Sequence, residues 1–168
     1  MLVLSNTLGK EGGLLDVETL IERFMNIRTH PRARHKPLLL LLALSRVQHG
    51  ESQFISYAAL EPVLRRLLIE YGDLTSTAHP EYPFWWLQTD GIWQVEGAED
   101  VPRRARDNAP TAAGLRRSKA RAGFADDVQR SLEQDEDLLM DVARGLLDEF
   151  IPQAYHHALI ADLDLRIA

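Results

Sequence analysis

Residues 84–95 read Phe84-Trp85-Trp86-Leu87-Gln88-Thr89-Asp90-Gly91-Ile92-Trp93-Gln94-Val95. Two β-prone runs, Phe84–Thr89 and Ile92–Val95, flank an Asp-Gly pair, a preferred dipeptide of the type I′ turn that joins two hairpin strands. The stretch therefore predicts a small β-hairpin. Alternation along its first strand sends Trp85 to one face and Phe84 and Trp86 to the other. One face must be core; the other is available as an apolar surface pocket, although large aromatics are more often core. Tyr82-Pro83 falls at the strand entry, where proline is tolerated, near the surface.

The flanking sequence reads as helix. Asp16 is a candidate N-cap, and Val17, Leu20, Ile21, Phe24 and Met25 follow the spacing of one apolar helical stripe. Residues 28–36, RTHPRARHK, have no such spacing and read as a basic loop. Pro37, suited to the first position of a helix, opens PLLLLLALSRVQ, which is apolar nearly all round and expected at the centre. Next come a short helix at Ser56–Leu60 and a new one from Pro62 to Gly72, with Val63, Leu64, Leu67, Leu68 and Tyr71 inward. Residues 97–123 read as a long basic segment with poor periodicity, though Leu115-Arg116-Arg117 also suits a helical turn. Helices follow at about Ala125–Leu132, Glu136–Phe150 and Ala154–Leu163. The expected fold is mainly α with a small β-hairpin, winged-helix-like in its order of elements. Residues 1–15 read as a flexible leader and 16–168 as one domain.

The 168-residue chain is 45% hydrophobic, enough for a sizeable core. It has no cysteine, which excludes disulfides and thiolate zinc sites and fits a cytoplasmic protein. The longest apolar run, Leu38–Leu44, is far short of the roughly 20 residues that span a bilayer, and the N-terminus lacks the pattern of a signal peptide. Net charge is −6, but it is segregated: residues 1–22 carry −3, residues 23–121 carry +5 and residues 122–168 carry −8. Binding responds to the local field within about 10 Å at moderate salt, so the basic middle bears on partners more than the total does.

Two basic constellations suit nucleic acid. Arg32, Arg34, His35 and Lys36 precede the helix opened by Pro37, and a helix N-terminus attracts phosphate. Arg103, Arg104, Arg106, Arg116, Arg117, Lys119 and Arg121 are opposed only by Asp107, and Asn108 among them can bond adenine bidentately. Both clusters also suit solvated surface loops, the second offsetting the acidic C-terminal helices. Catalytic motifs are absent: no G-x-S-x-G, no G-x-x-x-x-G-K-[ST], no H-E-x-x-H, and none of Lys10, Lys36 and Lys119 has an acid two positions before it. His156-His157 are helical neighbours pointing about 100° apart, a poor shared ligand site. No metal or cofactor is expected.

Three stretches together resemble one family: Arg34-His35-Lys36-Pro37-Leu38-Leu39-Leu40-Leu41; Pro80-Glu81-Tyr82-Pro83-Phe84-Trp85-Trp86-Leu87 running into Asp90-Gly91-Ile92-Trp93; and Leu115-Arg116-Arg117 running into Arg121-Ala122-Gly123-Phe124. They resemble the sulfur-binding domain of McrA-like type IV restriction endonucleases over about residues 15–165. The resemblance implies binding of double-stranded DNA carrying phosphorothioate linkages. Tyr82 and Pro83 would line a sulfur pocket, with Trp86 at a further wall position where relatives can carry something small. His35 and Lys36, with Arg34, would hold the modified phosphate. Arg32, Arg106, Asn108, Arg116 and Arg117 would meet backbone or bases. Whole members of the family carry a C-terminal HNH nuclease; no His-Asn-His arrangement matches here, so no cleavage is expected of this chain. Two other readings compete. One is a winged-helix protein that reads unmodified sequence. The other is an interaction domain whose acidic C-terminal helices dock a basic partner.

Overall fold

The helix His35–Gln48 has nearly no polar face, and this decides the architecture. The computed structural model describes residues 16–29, 33–73 and 78–167; the expected leader at 1–15 and Arg32 lie outside the described residues. The helices are α1 (Val17–Met25), α2 (His35–Gln48), α3 (Tyr57–Tyr71), α4 (Glu81–Trp86), α5 (Ala112–Arg117), α6 (Asp126–Gln134), α7 (Glu136–Phe150) and α8 (Gln153–Asp162). In α2, Leu38, Leu40, Leu41 and Leu44 are wholly buried. A helix apolar all round must be covered on every side, and α3, α4, α6 and α7 pack around it. Each leucine so buried contributes about 1.5–3 kcal/mol before entropy is counted. Helix α1, with Leu20 and Phe24 buried, packs on α7, whose own stripe of Leu138, Leu139, Val142 and Leu146 is buried.

A three-stranded antiparallel sheet closes one side. Strands β1 (Ile55–Ser56) and β2 (Trp93–Glu96) flank β3 (Arg121–Phe124), with Trp93 opposite Phe124 and Glu96 opposite Arg121. Phe124 meets both Phe24 and Trp93 edge-on, at 5.8 and 5.7 Å between ring centroids, which ties the sheet to α1. Arg121 pairs with Glu96 at 2.9 Å across the strands. The chain is thus mainly α with a small antiparallel β element, as expected.

The residues that make the β element differ from the expectation. Phe84–Thr89 is not a strand: α4 continues into a 3-10 turn, Leu87–Asp90. Gly91 has φ 76°, but it caps that turn instead of closing a hairpin. Positive φ is common to both uses, so Asp-Gly alone does not distinguish them. Helical winding buries Phe84, Trp85 and Leu87 together and leaves Trp86 half-buried, which alternation could not do. Trp93 then donates its indole N–H to the Phe84 carbonyl at 3.0 Å. The partner of β2 is β3, drawn from the segment expected to lack periodicity.

Other boundaries moved for local reasons. Helix α2 begins at His35, so Pro37 occupies its third position, which also needs no intrahelical N–H bond. Helix α3 is continuous, capped by the Ser56 hydroxyl on Ala59 N at 3.2 Å, and runs through Pro62. Pro62 and Ala58 are both exposed, so the bond that proline deletes falls where solvent replaces it. Val63 faces outward, at 41% exposure, because the buried stripe is Leu60, Leu64, Leu67 and Tyr71. Among the described residues no helix is long and apolar enough to cross a membrane.

The C-terminal residues are fastened to the end of α2. His49 shares hydrogen bonds with the Ser45 carbonyl at 2.7 Å and with the Asp164 carboxylate at 3.0 Å. The Ser45 carbonyl and then Asp164 raise the imidazole pKa above its ordinary value, against slight desolvation and Arg166. Because the folded value is the higher one, this contribution is complete below pH 6.5 and is lost as pH climbs through the raised value. His49→Gln is expected to lower the melting temperature more at pH 6 than at pH 9. Melts across that range check this; a gap independent of pH would contradict it.

Candidate nucleic-acid interface

The first turn of α2 and one face of α4 converge on a cavity of about 430 Å³. Helix α2 supplies His35 and Lys36. Helix α4 supplies Tyr82, Pro83 and Trp86, spaced so that Tyr82 and Trp86 lie one turn apart on the same side. Pro83 fits the first turn of α4 because an amide there has no intrahelical acceptor. Thr29 and Ala33 close the cavity from the basic loop, and Asp107 and Ala109 close it from the loop after β2. Four of these positions are more than 40 residues from the others, so the site exists only in the folded chain.

Each polar wall residue has defined partners. The Lys36 ammonium donates to Asp90 Oδ2 and to the Arg28 carbonyl, both at 2.7 Å, while Asp90 Oδ1 accepts from Arg28 N at 2.7 Å. The Lys36 and Asp90 side chains are only 12% and 2% exposed. An ammonium has three protons, and two are used among the described residues. The Tyr82 ring stacks on His79 at 4.8 Å between centroids, and the Tyr82 hydroxyl and Asp107 raise the Arg104 pKa. Arg104 in turn grips Asp107 with two bonds, at 3.1 and 2.8 Å. Although desolvation works against it, Ala109 N–H and Arg104 hold the Asp107 carboxyl below the ordinary value. Trp86 packs against the core with part of its surface and also lines a neighbouring cavity that contains Trp85 and Arg103.

The sequence-expected site residues divide accordingly. His35, Lys36, Tyr82, Pro83 and Trp86 meet at one cavity. Arg34 is turned elsewhere: it donates to the Tyr71 and Gly72 carbonyls at 3.0 and 3.1 Å and lies over the Tyr155 ring, capping the C-terminus of α3. Arg116 is held by Glu61 at 2.6 Å. Arg117 is exposed on α5. Arg106 and Asn108 are exposed in the loop whose Asp107 and Ala109 reach the cavity wall; Asn108 adopts φ 59°. Sequence reading passed over Asp90, Arg28 and Asp107. Asp107 was visible as the single acid within a basic cluster, whereas nothing local marks Asp90 as the partner of Lys36. Among the described residues no group of His, Cys, Asp and Glu is arranged to hold a metal ion.

The family model for the ScoMcrA-like, DNA sulfur-binding domain matches residues 17–168. The chain is similar to the solved sulfur binding domain of ScoMcrA complexed with phosphorothioated DNA: 26% identity and TM-score 0.76, over 86% of this chain and 94% of that one. The sulfur binding domain of SprMcrA complexed with phosphorothioated DNA shares the fold at 22% identity and TM-score 0.72, over 90% and 95% of the two chains. The type IV phosphorothioation-dependent restriction endonuclease ScoMcrA matches at 26% identity and TM-score 0.76 over 86% of this chain. The match spans 32% of that enzyme, and 45% of a ScoMcrA structure comprising the sulfur binding domain and an SRA domain. No curated protein matches the chain.

Proposed function

The chain belongs to the ScoMcrA-like DNA sulfur-binding domain family, and on that premise we propose that it binds double-stranded DNA carrying phosphorothioate linkages. The backbone sulfur rests on Tyr82, Pro83 and Trp86, and His35 and the third Lys36 proton face the remaining oxygens of the same group. The observation that carries this reading is the convergence of α2's first turn with Tyr82, Pro83 and Trp86 on one cavity. Sulfur is larger, more polarizable and more weakly hydrated than oxygen. An oxygen held against these walls loses water bonds without replacement, a penalty of about 1–3 kcal/mol. Discrimination on this account comes mainly from rejecting the ordinary phosphate.

The paired cations serve the same end. Lys36 with Asp90, and Arg104 with Asp107, carry little net charge into the cavity, so general attraction to DNA falls to exposed cations such as Arg106 and Arg117. We assign the chain recognition and no cleavage step, in a restriction system that senses modified DNA.

Tyr82→Ala tests the pocket. It is expected to lower the preference for a sulfur-containing duplex over its all-oxygen counterpart about tenfold, while weak salt-dependent binding to both remains. Titrations of the two duplexes against wild type and variant measure this. An equal loss on both duplexes would remove Tyr82 from the sulfur site.

A further inference from the structure

Asp107 is an acid on the wall of a site for an anionic backbone, and its pairing with Arg104 leaves part of the carboxylate open. It sits in a tight turn closed by one antiparallel bridge. Arg103 bridges Pro110 antiparallel, Arg104 N donates to the Ala109 carbonyl at 2.9 Å, and Asn108 N donates to the Arg104 carbonyl at 2.8 Å. Asp107 Oδ1 accepts from Arg104 Nε and from Ala109 N; Oδ2 accepts only from Arg104 Nη2, at 2.8 Å, among the described residues. The carboxylate is thus fixed in direction, 38% exposed, and has a lone pair to spare beside the cavity that holds Tyr82 and Pro83.

We propose that Asp107 reads the base beside the phosphorothioate, accepting a hydrogen bond from the N4 amino group of a cytosine in the major groove. This rests on the sulfur reading of the cavity. An ionised carboxylate only accepts, and guanine and thymine present only acceptors or a methyl group on the major-groove edge. Adenine presents its amino group next to the N7 acceptor, which a carboxylate repels; cytosine presents the amino group alone. In the minor groove the one donor is guanine N2. A carboxylate accepting from the cytosine N4 amino group is the characteristic pairing of an acidic side chain with a base, so guanine N2 is left as an outcome of the test. The turn at 103–110 therefore selects cytosine through Asp107.

The test uses duplexes with one phosphorothioate and base pairs varied within three positions of it. Cytosine is replaced by the pyrimidin-2-one nucleoside, which lacks the 4-amino group, and guanine by inosine, which lacks the 2-amino group. At one position, loss of the cytosine amino group is expected to weaken wild-type binding about tenfold, and Asp107→Ala binding less than twofold. Asp107→Asn, which both donates and accepts, is expected to move the preference at that position from cytosine to adenine; this gain does not arise from a damaged fold. Sensitivity to inosine alone, no sensitivity to either replacement, or an Asp107→Ala protein as sensitive as wild type would each overturn the proposal. Matched all-oxygen duplexes run alongside. A wild type that ignores the sulfur overturns the pocket reading and this one with it, whereas an intact sulfur preference without amino dependence overturns this one alone.

Discussion

Asp90→Ala is expected to destabilise the protein by about 3 kcal/mol and to lower its melting temperature by roughly 6–12 °C. The substitution leaves the Lys36 ammonium, 12% exposed, with one carbonyl in place of an anion, and it strips the acceptor from Arg28 N. Breaking a buried pair costs more than the pair contributes, because an uncompensated charge remains. The same loss frees Arg28 and the first turn of α2 from the 3-10 turn after α4, so the cavity loses its shape and DNA binding falls too. Lys36→Met in the Asp90→Ala background removes the stranded charge and is expected to recover at least a third of the stability. Denaturant unfolding of the single and double variants measures both effects. Additive losses in the double variant would contradict this role for the pair.

Gly123→Ala is expected to cost about 3 kcal/mol by a different route, backbone collision. Gly123 lies in β3, the central strand, and a Cβ there would stand 2.0 Å from the Gln53 carbonyl oxygen and 2.9 Å from its carbon. Neither atom belongs to a flexible side chain, so the chain before β1 must move away from the sheet. Gln53 also bonds the Phe124 carbonyl and the Asp126 carboxylate at 2.9 and 2.8 Å, and that movement strains both bonds. A soluble Gly123→Ala protein with wild-type midpoint in urea would show that the close approach is dispensable.

Why some of this was legible in the sequence and some not has physical causes. Amphipathic helices α1 and α7 were readable because one face of each meets the core, and burial at every third or fourth residue writes itself into composition. The basic segment at 97–123 hid β3 because four residues, Arg121–Phe124, are too few for alternation to register. Residues 81–90 misled because Phe and Trp favour strands for their packing on a half-buried surface, and α4 gives them a comparable surface against α2 and α3. The candidate site was legible to the extent that motif positions, His35, Lys36, Tyr82, Pro83 and Trp86, do converge. Its ion-pair partners were not. Asp90 is 54 residues from Lys36 in sequence, and Arg34 and Arg116, equally basic on paper, are drawn to a helix C-terminus and to Glu61. Charge marks a candidate, but only three-dimensional neighbours decide whether it faces a ligand.

The central claim is that a backbone sulfur, and not DNA alone, is what this chain recognises. The most direct measurement is the affinity of the wild-type protein for two duplexes of identical sequence at one salt concentration, one with a single phosphorothioate and one without. The account predicts at least tenfold tighter binding to the sulfur-containing duplex, the discrimination that a desolvated apolar pocket supplies. Equal affinities for the two would contradict it.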